Sequence, residues 1–450
     1  MLAGAMLAAG LVLNLAAVAA EPVPGTAWDL RTLYRTAITR DPAYLAASQR
    51  AEADGQALPL ARSALLPQVN ASANRQHLEE SLTTNPGGTT ETVATNESQA
   101  DSYSLTVDQT LFDARAFAGL SQAGAIRRRA DAQLLAARQG LILRVTRIYF
   151  DFLRSREELA LTQAEQAALK EQAALARARL EVGMAAVTET YEAEARLALV
   201  DARVIERQVA LDRARDDLHI LSGETIDDVI PLRDDFVIPN PEPDNMNNWI
   251  EQAMQHNAAL LAGEAGTDAA RQEISRQRAG HYPRLSVSGE RYRRKADGSL
   301  ALPDTETDYE ATEYNLELKL PLFQGGSTLI QTREARLRYE AEQQQQEQLK
   351  RELVRDTREA FQSVASGKRK LDALAQSVKA HNSVIDAKLA GFRAGINTNQ
   401  HVLDAQRDLF AARRDYANAR YDVIQALLKL KQLAGSLNDN DLYEIGDAIR

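Results

Sequence analysis

From Gln400 to Leu433 the apolar side chains recur in sevens. Val402, Leu409, Tyr416, Val423 and Leu430 form one row, and Ala405, Ala412, Ala419, Ala426 and Leu433 fill the complementary positions. A seven-residue repeat sustained over this length predicts a coiled-coil helix, with alanine allowing close approach of a neighbour. A second row, Leu403, Phe410, Ala417, Ile424 and Leu428, runs beside the first. A helix with two adjacent seams packs on two partners, which suits a cylinder of helices better than an isolated two-stranded coil. The same period occurs earlier in Thr190, Leu197, Val204, Leu211 and Leu218, paired with Ala193, Val200, Ala214 and Leu221.

Elsewhere the period falls to two. Leu316, Leu318, Leu320 and Leu322 alternate with Asn315, Glu317 and Lys319, while Tyr103, Leu105 and Val107 alternate with Ser104, Thr106 and Asp108. Val69, Ala71 and Ala73 repeat the pattern more weakly, as do Leu285 and Val287. Strands are therefore expected at about 67–77, 102–112, 283–293 and 313–323. A single strand of this kind is most simply the half-buried edge of a soluble core. Four at corresponding positions behind an export signal point to transmembrane β-barrel strands. Ser81–Ser98 and Arg294–Thr312, rich in Thr, Glu, Asp and Gly, read as polar outer loops.

Between Ala116 and Leu180, and between Gly326 and Phe392, there is no proline and little glycine. Roughly 65 helical residues span about 100 Å, more than a compact domain can hold, so these helices must project. Two helical hairpins follow, over 116–222 and 326–435, turning at Gly183 and Gly395, where glycine tolerates the positive φ that ends a helix. Pro67 and Pro283 stop the preceding helices. By length, the return Thr188–Leu221 is expected to stack on Asn247–Gly280, and the return Gln400–Leu433 on Leu30–Leu66.

The same order of elements occurs twice. Asp41-Pro-Ala-Tyr-Leu-Ala46 reappears as Asn257-Ala-Ala-Leu-Leu-Ala262, and Leu65-Leu-Pro67 as His281-Tyr-Pro283 at the same offset. A unit this long implies tandem duplication of one architecture. Residues 21–230 form the first copy and 247–450 the second, with Pro-rich 231–246 as an equatorial linker. Residues 1–20, apolar and ending in Ala-Val-Ala-Ala, read as a signal peptide cleaved near Ala19 or Ala20. A net charge of −10 and a pI near 5.3 argue against a nucleic-acid partner. With no cysteine, disulfides, thiol nucleophiles, Cys-ligated metals and N-terminal acylation all drop out. No catalytic triad, phosphate loop or metal cluster is evident, so neither an enzyme nor a cofactor is expected.

Phe392-Arg-Ala-Gly395-Ile-Asn-Thr-Asn-Gln-His-Val-Leu403-Asp404 and the following Leu409–Tyr421 resemble the TolC family of outer-membrane efflux proteins. Leu65-Leu-Pro67, Pro321-Leu-Phe-Gln-Gly-Gly326 and Asn438-Asp-Asn-Asp-Leu442 extend the resemblance over nearly the whole chain. It implies an α+β membrane protein of the non-acylated branch: a homotrimer with a twelve-stranded barrel in outer-membrane lipid and an α-helical tunnel in the periplasm. It also implies a periplasmic adaptor and an inner-membrane ABC or proton-driven exporter as partners, with Gly183 and Gly395 at the docking tip. Four strands per chain require oligomerisation in any case, since closed membrane barrels have at least eight.

By the same resemblance Asp404 occupies an acidic position at the periplasmic constriction, and His401 stands where a second aspartate is expected. Thr188 and Glu189 match the network that holds the entrance closed. Phe392 replaces its tyrosine and Asn397 its arginine, which leaves Arg393 and Arg179 as candidates for the missing cation. Read without the family, Asp404 is an ordinary carboxylate near a helix start. His401 and Asp404 alone are too few ligands for a metal. Tyr292, Tyr314 and Phe323 are candidates for an interfacial aromatic belt. The leading function is a passive export duct, and the alternative is a periplasmic coiled-coil adaptor, which would lack duplicated barrel hairpins.

Overall fold

The computed structural model describes residues 28–84, 87, 91–233, 236–297 and 305–449, so the signal-peptide segment lies outside the described residues. Two helices dominate: α4 (Ala114–Glu181) and α8 (Ser327–Arg393). Their return partners are α5 (Val187–Ser222) and α9 (Asn399–Leu433). Nearer the sheet lie α1 (Leu30–Arg40), α2 (Pro42–Gly55) and α3 (Ala57–Ser63) in the first copy, and α6 (Met246–His256) and α7 (Ala258–Arg278) in the second. The chain ends in α10 (Asp439–Ile449).

The repeated motifs at Asp41 and Asn257 are helix starts. Asp41 accepts the Tyr44 N–H at 2.9 Å and Asn257 accepts the Leu260 N–H at 3.0 Å, each satisfying a donor at the head of a new helix. The stretch 30–66, expected as one helical region, is thereby cut into three pieces.

The stacking differs from the length-based expectation. Asn257 also donates its side-chain amide to the Leu433 carbonyl at 3.0 Å, and Gly435, at φ +73°, lies so close to the His256 carbonyl that a Cβ would collide with it. Thus α7 continues the column of α9. On the other column, Arg40 at the end of α1 pairs with Glu224 just beyond α5, which sets α2 above α5. Each return helix stacks on the second helix of its own copy, α5 on α2 and α9 on α7. The two returns are nearly equal in length, so length alone could not choose between the arrangements.

Four columns result. α4 pairs with α5 through Arg207–Glu158 (2.7 Å) and with the start of α2 through Arg144–Asp41. It also pairs with α9 through Arg154–Asp422 (2.6 Å) and with α7 through Arg128–Asp268. Among the described residues, α8 packs chiefly on the α9–α7 column and on α6. The order across the molecule is therefore α5–α2–α3, α4, α9–α7, α8. The main core sits halfway along it, where Tyr149, Phe150 and Leu153 of α4 meet Leu33 and Tyr34 of α1, Leu218 of α5 and Ile424 of α9. The linker wraps across this level. Trp28 and Val229 form a bridge, Tyr149 donates to the Ile230 carbonyl at 2.6 Å, and Lys368 of α8 donates to that of Ile238 at 2.9 Å. Burial pushes the Tyr149 phenol well above its ordinary value. α10 closes the same region: Tyr34 donates to Asp439 at 2.7 Å, its pKa pushed up to about 12 by burial and then by that carboxylate.

At the other end β1 (Gln68–Thr84), β2 (Glu91–Asp113), β3 (Arg284–Asp297) and β4 (Glu306–Lys319) form one antiparallel sheet in the order β1-β2-β3-β4. The strands run further outward than expected, into the stretches read as loops, because backbone pairing continues where both faces are polar and apolar alternation no longer marks a strand. Conversely, Leu320, Leu322 and Phe323 lie beyond β4. Registered partners Val287 and Leu316, and Leu285 and Leu318, share one face with Leu105 and Val107. That face carries its large apolar side chains in the open: Leu316 is 66% and Leu318 69% accessible. Tyr314 lies on it and Tyr292 on the other, where it contacts the Tyr309 ring. An outward apolar face suits lipid rather than water.

Candidate functional site

At the far end of the long helices, α4 and α8 each stop in the same turn. Gly183 (φ +72°) and Gly395 (φ +77°) take the left-handed conformation, and Met184 and Ile396 donate back to Arg179 and Gly391 at 2.7 and 2.8 Å. These bonds satisfy carbonyls left over at the helix ends. The turns display Val182, Met184 and Ile396 to solvent, an apolar tip on otherwise charged helices.

Around the tip the residues matched to the entrance are distributed unevenly. Thr188 is exposed and Glu189 half-buried on the first turn of α5. Phe392, at the end of α8, lies beneath the Arg179 guanidinium, 4.9 Å from ring centroid to Cζ. This cation–π contact joins the ends of α8 and α4 and uses the ring that remains where a hydroxyl was expected. Asn397 turns inward, with its amide donating at 3.4 Å to the Lys388 carbonyl. Gly391 makes room for it, since a Cβ there would collide with that amide. Asn397 therefore finishes α8 and does not replace the expected arginine.

Asp404 is held from two sides. Arg196 of α5 donates to it at 2.9 Å, and Arg407, one turn along α9, approaches to 3.7 Å. Arg196 is the cation that sequence reasoning missed, because it lies on the other copy and no spacing rule connects it to Asp404. The bridge ties α5 to α9 just where Leu403 joins the α4–α5 apolar seam of Leu169, Ala173, Ala193 and Val200. His401 is exposed on the first turn of α9, whose N-cap Thr398 accepts its backbone N–H. Farther along, Arg203–Glu165 (3.5 Å) and Arg177–Glu194 (2.7 Å) repeat the α5–α4 pairing. What the site offers is a set of helix ends linked to one another by charge.

Residues 33–224 and 249–436 match the family model described as outer membrane efflux protein. The chain is 31% identical over 422 residues to Outer membrane protein TolC of Vibrio cholerae, covering 94% of each protein. It is 30% identical to Proteases secretion protein PrtF of Dickeya chrysanthemi, covering 93% of this chain and 89% of that one. Among solved structures, a CusC channel structure superposes with a TM-score of 0.75 at 18% identity, over 91% of this chain and 92% of that one. The open-state MtrE outer membrane channel of Neisseria gonorrhoeae superposes at 0.73 and 21% identity, over 91% and 90%. The four columns, the outward apolar sheet and the duplicated tip turns thus belong with these relatives, and the chain is a member of the outer membrane efflux protein family, an outer-membrane channel for efflux or secretion.

Proposed function

We propose that three copies of this chain close into one passive duct. It would carry secreted proteins or small toxic compounds from an inner-membrane transporter and a periplasmic adaptor to the cell exterior. The observation that carries this reading is the open edge. β1 and β4 end the sheet without partners among the described residues, and α8 and the α5 column end the helical layer. Further copies close both layers at once. Three copies give twelve strands, within the range of closed membrane barrels.

In this reading the tip turns at Gly183 and Gly395 meet the adaptor through their exposed apolar residues. Asp404 and His401 line the constriction, and Thr188, Glu189 and Phe392 contribute to its closure. Arg179–Phe392 and Arg196–Asp404 supply the cohesion that Asn397 cannot. Replacing Gly395 by Val forces a branched side chain into positive φ and should abolish export while trimers persist in the membrane. Normal export by that variant would place docking elsewhere. In planar bilayers, removing Arg196 and Arg179 should raise conductance, and an unchanged closed state would refute their role.

A further inference from the structure

One strip of α9 changes character between the middle of the molecule and the tip. Asn399, Gln406, Arg413 and Arg420 follow one another at intervals of seven, and seven residues make almost two full turns, so all four lie on one side of the helix. The strip runs between the row that faces α8 (Val402, Ala405 and Leu409 against Ile385) and Leu403, which faces Leu169 and Ala173 of α4. Its upper members are partnered: Arg420 donates to the Arg233 carbonyl, and Arg413 donates to Asn382 of α8 at 2.8 Å. Its lower members are not. Asn399 is 3% exposed, and neither its side-chain oxygen nor its nitrogen has a protein partner; Gln406 is 9% exposed, and its Oε1 has none. Gln172 of α4 and Thr190 of α5, beside the α4–α5 seam, each bury a side-chain oxygen in the same condition.

The apolar side chains divide at the same place. Halfway along the molecule one core joins Phe150 of α4, Val364 of α8 and Ile424 of α9. At the tip it is replaced by two separate clusters, one holding α8 to α9 and the other holding α4 to α5 with Leu403 at its edge. The strip of Asn399 and Gln406 runs along the boundary between them. A buried amide or hydroxyl without a partner has given up its hydrogen bonds to water and gained none, so it favours any rearrangement that admits solvent. Cohesion across that boundary comes from Arg196 of α5 on Asp404 of α9, at 2.9 Å, and from Arg179 of α4 on the Phe392 ring of α8.

We infer that the closed tip is held against an opening tendency built into its own core. Asn399, Gln406 and Thr190 are buried and unpartnered while the α8–α9 pair lies against α4–α5, and they become hydrated when the pairs part. The two arginine contacts oppose that tendency, so the tip is poised between closed and open instead of locked. The equatorial level has no such division, because the strip is partnered there and the core is continuous. The inference rests on the duct reading, and the experiment separates the failure of one from the failure of the other.

The test is single-channel recording of purified trimers in planar bilayers, with thermal melting of the same preparations in detergent. N399L/Q406L replaces both amides by apolar side chains of similar size and removes what is gained by parting the helices. Its ratio of closed to open time should rise about ten-fold or more, the factor that relief of one buried unpartnered group supports. Its trimers should melt at no lower a temperature than the unaltered protein. T190V exchanges a hydroxyl for a methyl group of the same shape; it should shift the ratio in the same direction, and it decides the matter if N399L/Q406L does not assemble. An unchanged or lowered ratio in the deciding variant, or a lower melting temperature for N399L/Q406L, would overturn the inference. No current from unaltered trimers would remove the duct reading and this inference with it, whereas current indifferent to the substitutions would remove this inference alone.

Discussion

α5 and α9 are corresponding helices of the two copies, with the same turn before them and the same period along them, yet they end in different surroundings. α9 lies between α4 and α8, and both its rows are covered: Val402 and Leu409 face Ile385 of α8, while Ile424, in the second row, is 1% exposed within the core shared with α4. α5 has one covered seam, Ala193, Val200, Leu211 and Leu218 against α4. On its opposite side Tyr191, Ile205, Val209 and Ile220 form a stripe in water, with Ile205 and Ile220 each 68% exposed. Duplication gave both helices a two-sided pattern, and a single chain covers both sides of only one. The uncovered stripe is the signature of a missing neighbour.

The largest expected effect breaks the covered member of the pair. Ile424→Asp places an unpaired carboxylate in the main core, at a cost of several kcal/mol (roughly 2–7 for an uncompensated polar group), and should leave no folded chain by circular dichroism. Next comes the sheet, whose solvent is reversed relative to the helices. Leu318→Arg should cost ~2–4 kcal/mol near the membrane midplane and block insertion, whereas Glu317→Arg on the opposite face should insert normally in a liposome-folding assay. Equal behaviour of the two would mean the faces are misassigned.

A smaller effect distinguishes the two junctions. Asn257→Ala removes both a helix cap and the buried bond to Leu433, and a loss of about 1–2 kcal/mol is expected in denaturant unfolding. Asn257→Asp keeps the cap but not the amide donor, so it should recover only part. Full recovery would show that the bond between columns contributes nothing.

The smallest effect concerns pH. Burial raises the Asp151 carboxyl above its ordinary value of 3.8, against the favourable charges of Arg154 and Arg147, while Asp217 of α5 and Asp422 of α9 add repulsion. The folded chain thus favours the protonated acid. That contribution is fully present below the unfolded value and is lost as pH rises through the folded one. Asp151→Asn should therefore melt at a higher temperature than the unaltered chain at neutral pH, and the gain should vanish below 3.8. A gain that persists in acid would point to packing instead of charge.

Much of this was legible in the sequence. The long helices, the glycine turns and the four strands follow from periods of seven and two and from the absence of proline, which are local properties. What was not legible depends on contacts between distant residues. The junction of α9 with α7 is made by Asn257 and Leu433, and the Asp404 partner Arg196 lies on the other copy. Asn397 could be matched to a family position, but its inward turn depends on the space left by Gly391. The outer parts of the strands were hidden because a paired ribbon with water on both sides shows no alternation. α10 escaped notice because its signal is a cap: Asn438 accepts the Asn440 N–H, and Asp441 accepts that of Asn438, both at 2.8 Å.

The central claim is that the exposed stripe of α5 is an interface between copies, so its most direct test is the mass of the assembled particle. Native mass spectrometry of the detergent-extracted protein should give three times the chain mass. The variant Ile205→Asp with Ile220→Asp should give the single-chain mass while retaining its helical circular dichroism, because neither residue belongs to the core. A single-chain mass for the unaltered protein, or an undiminished trimer for the variant, would contradict the account.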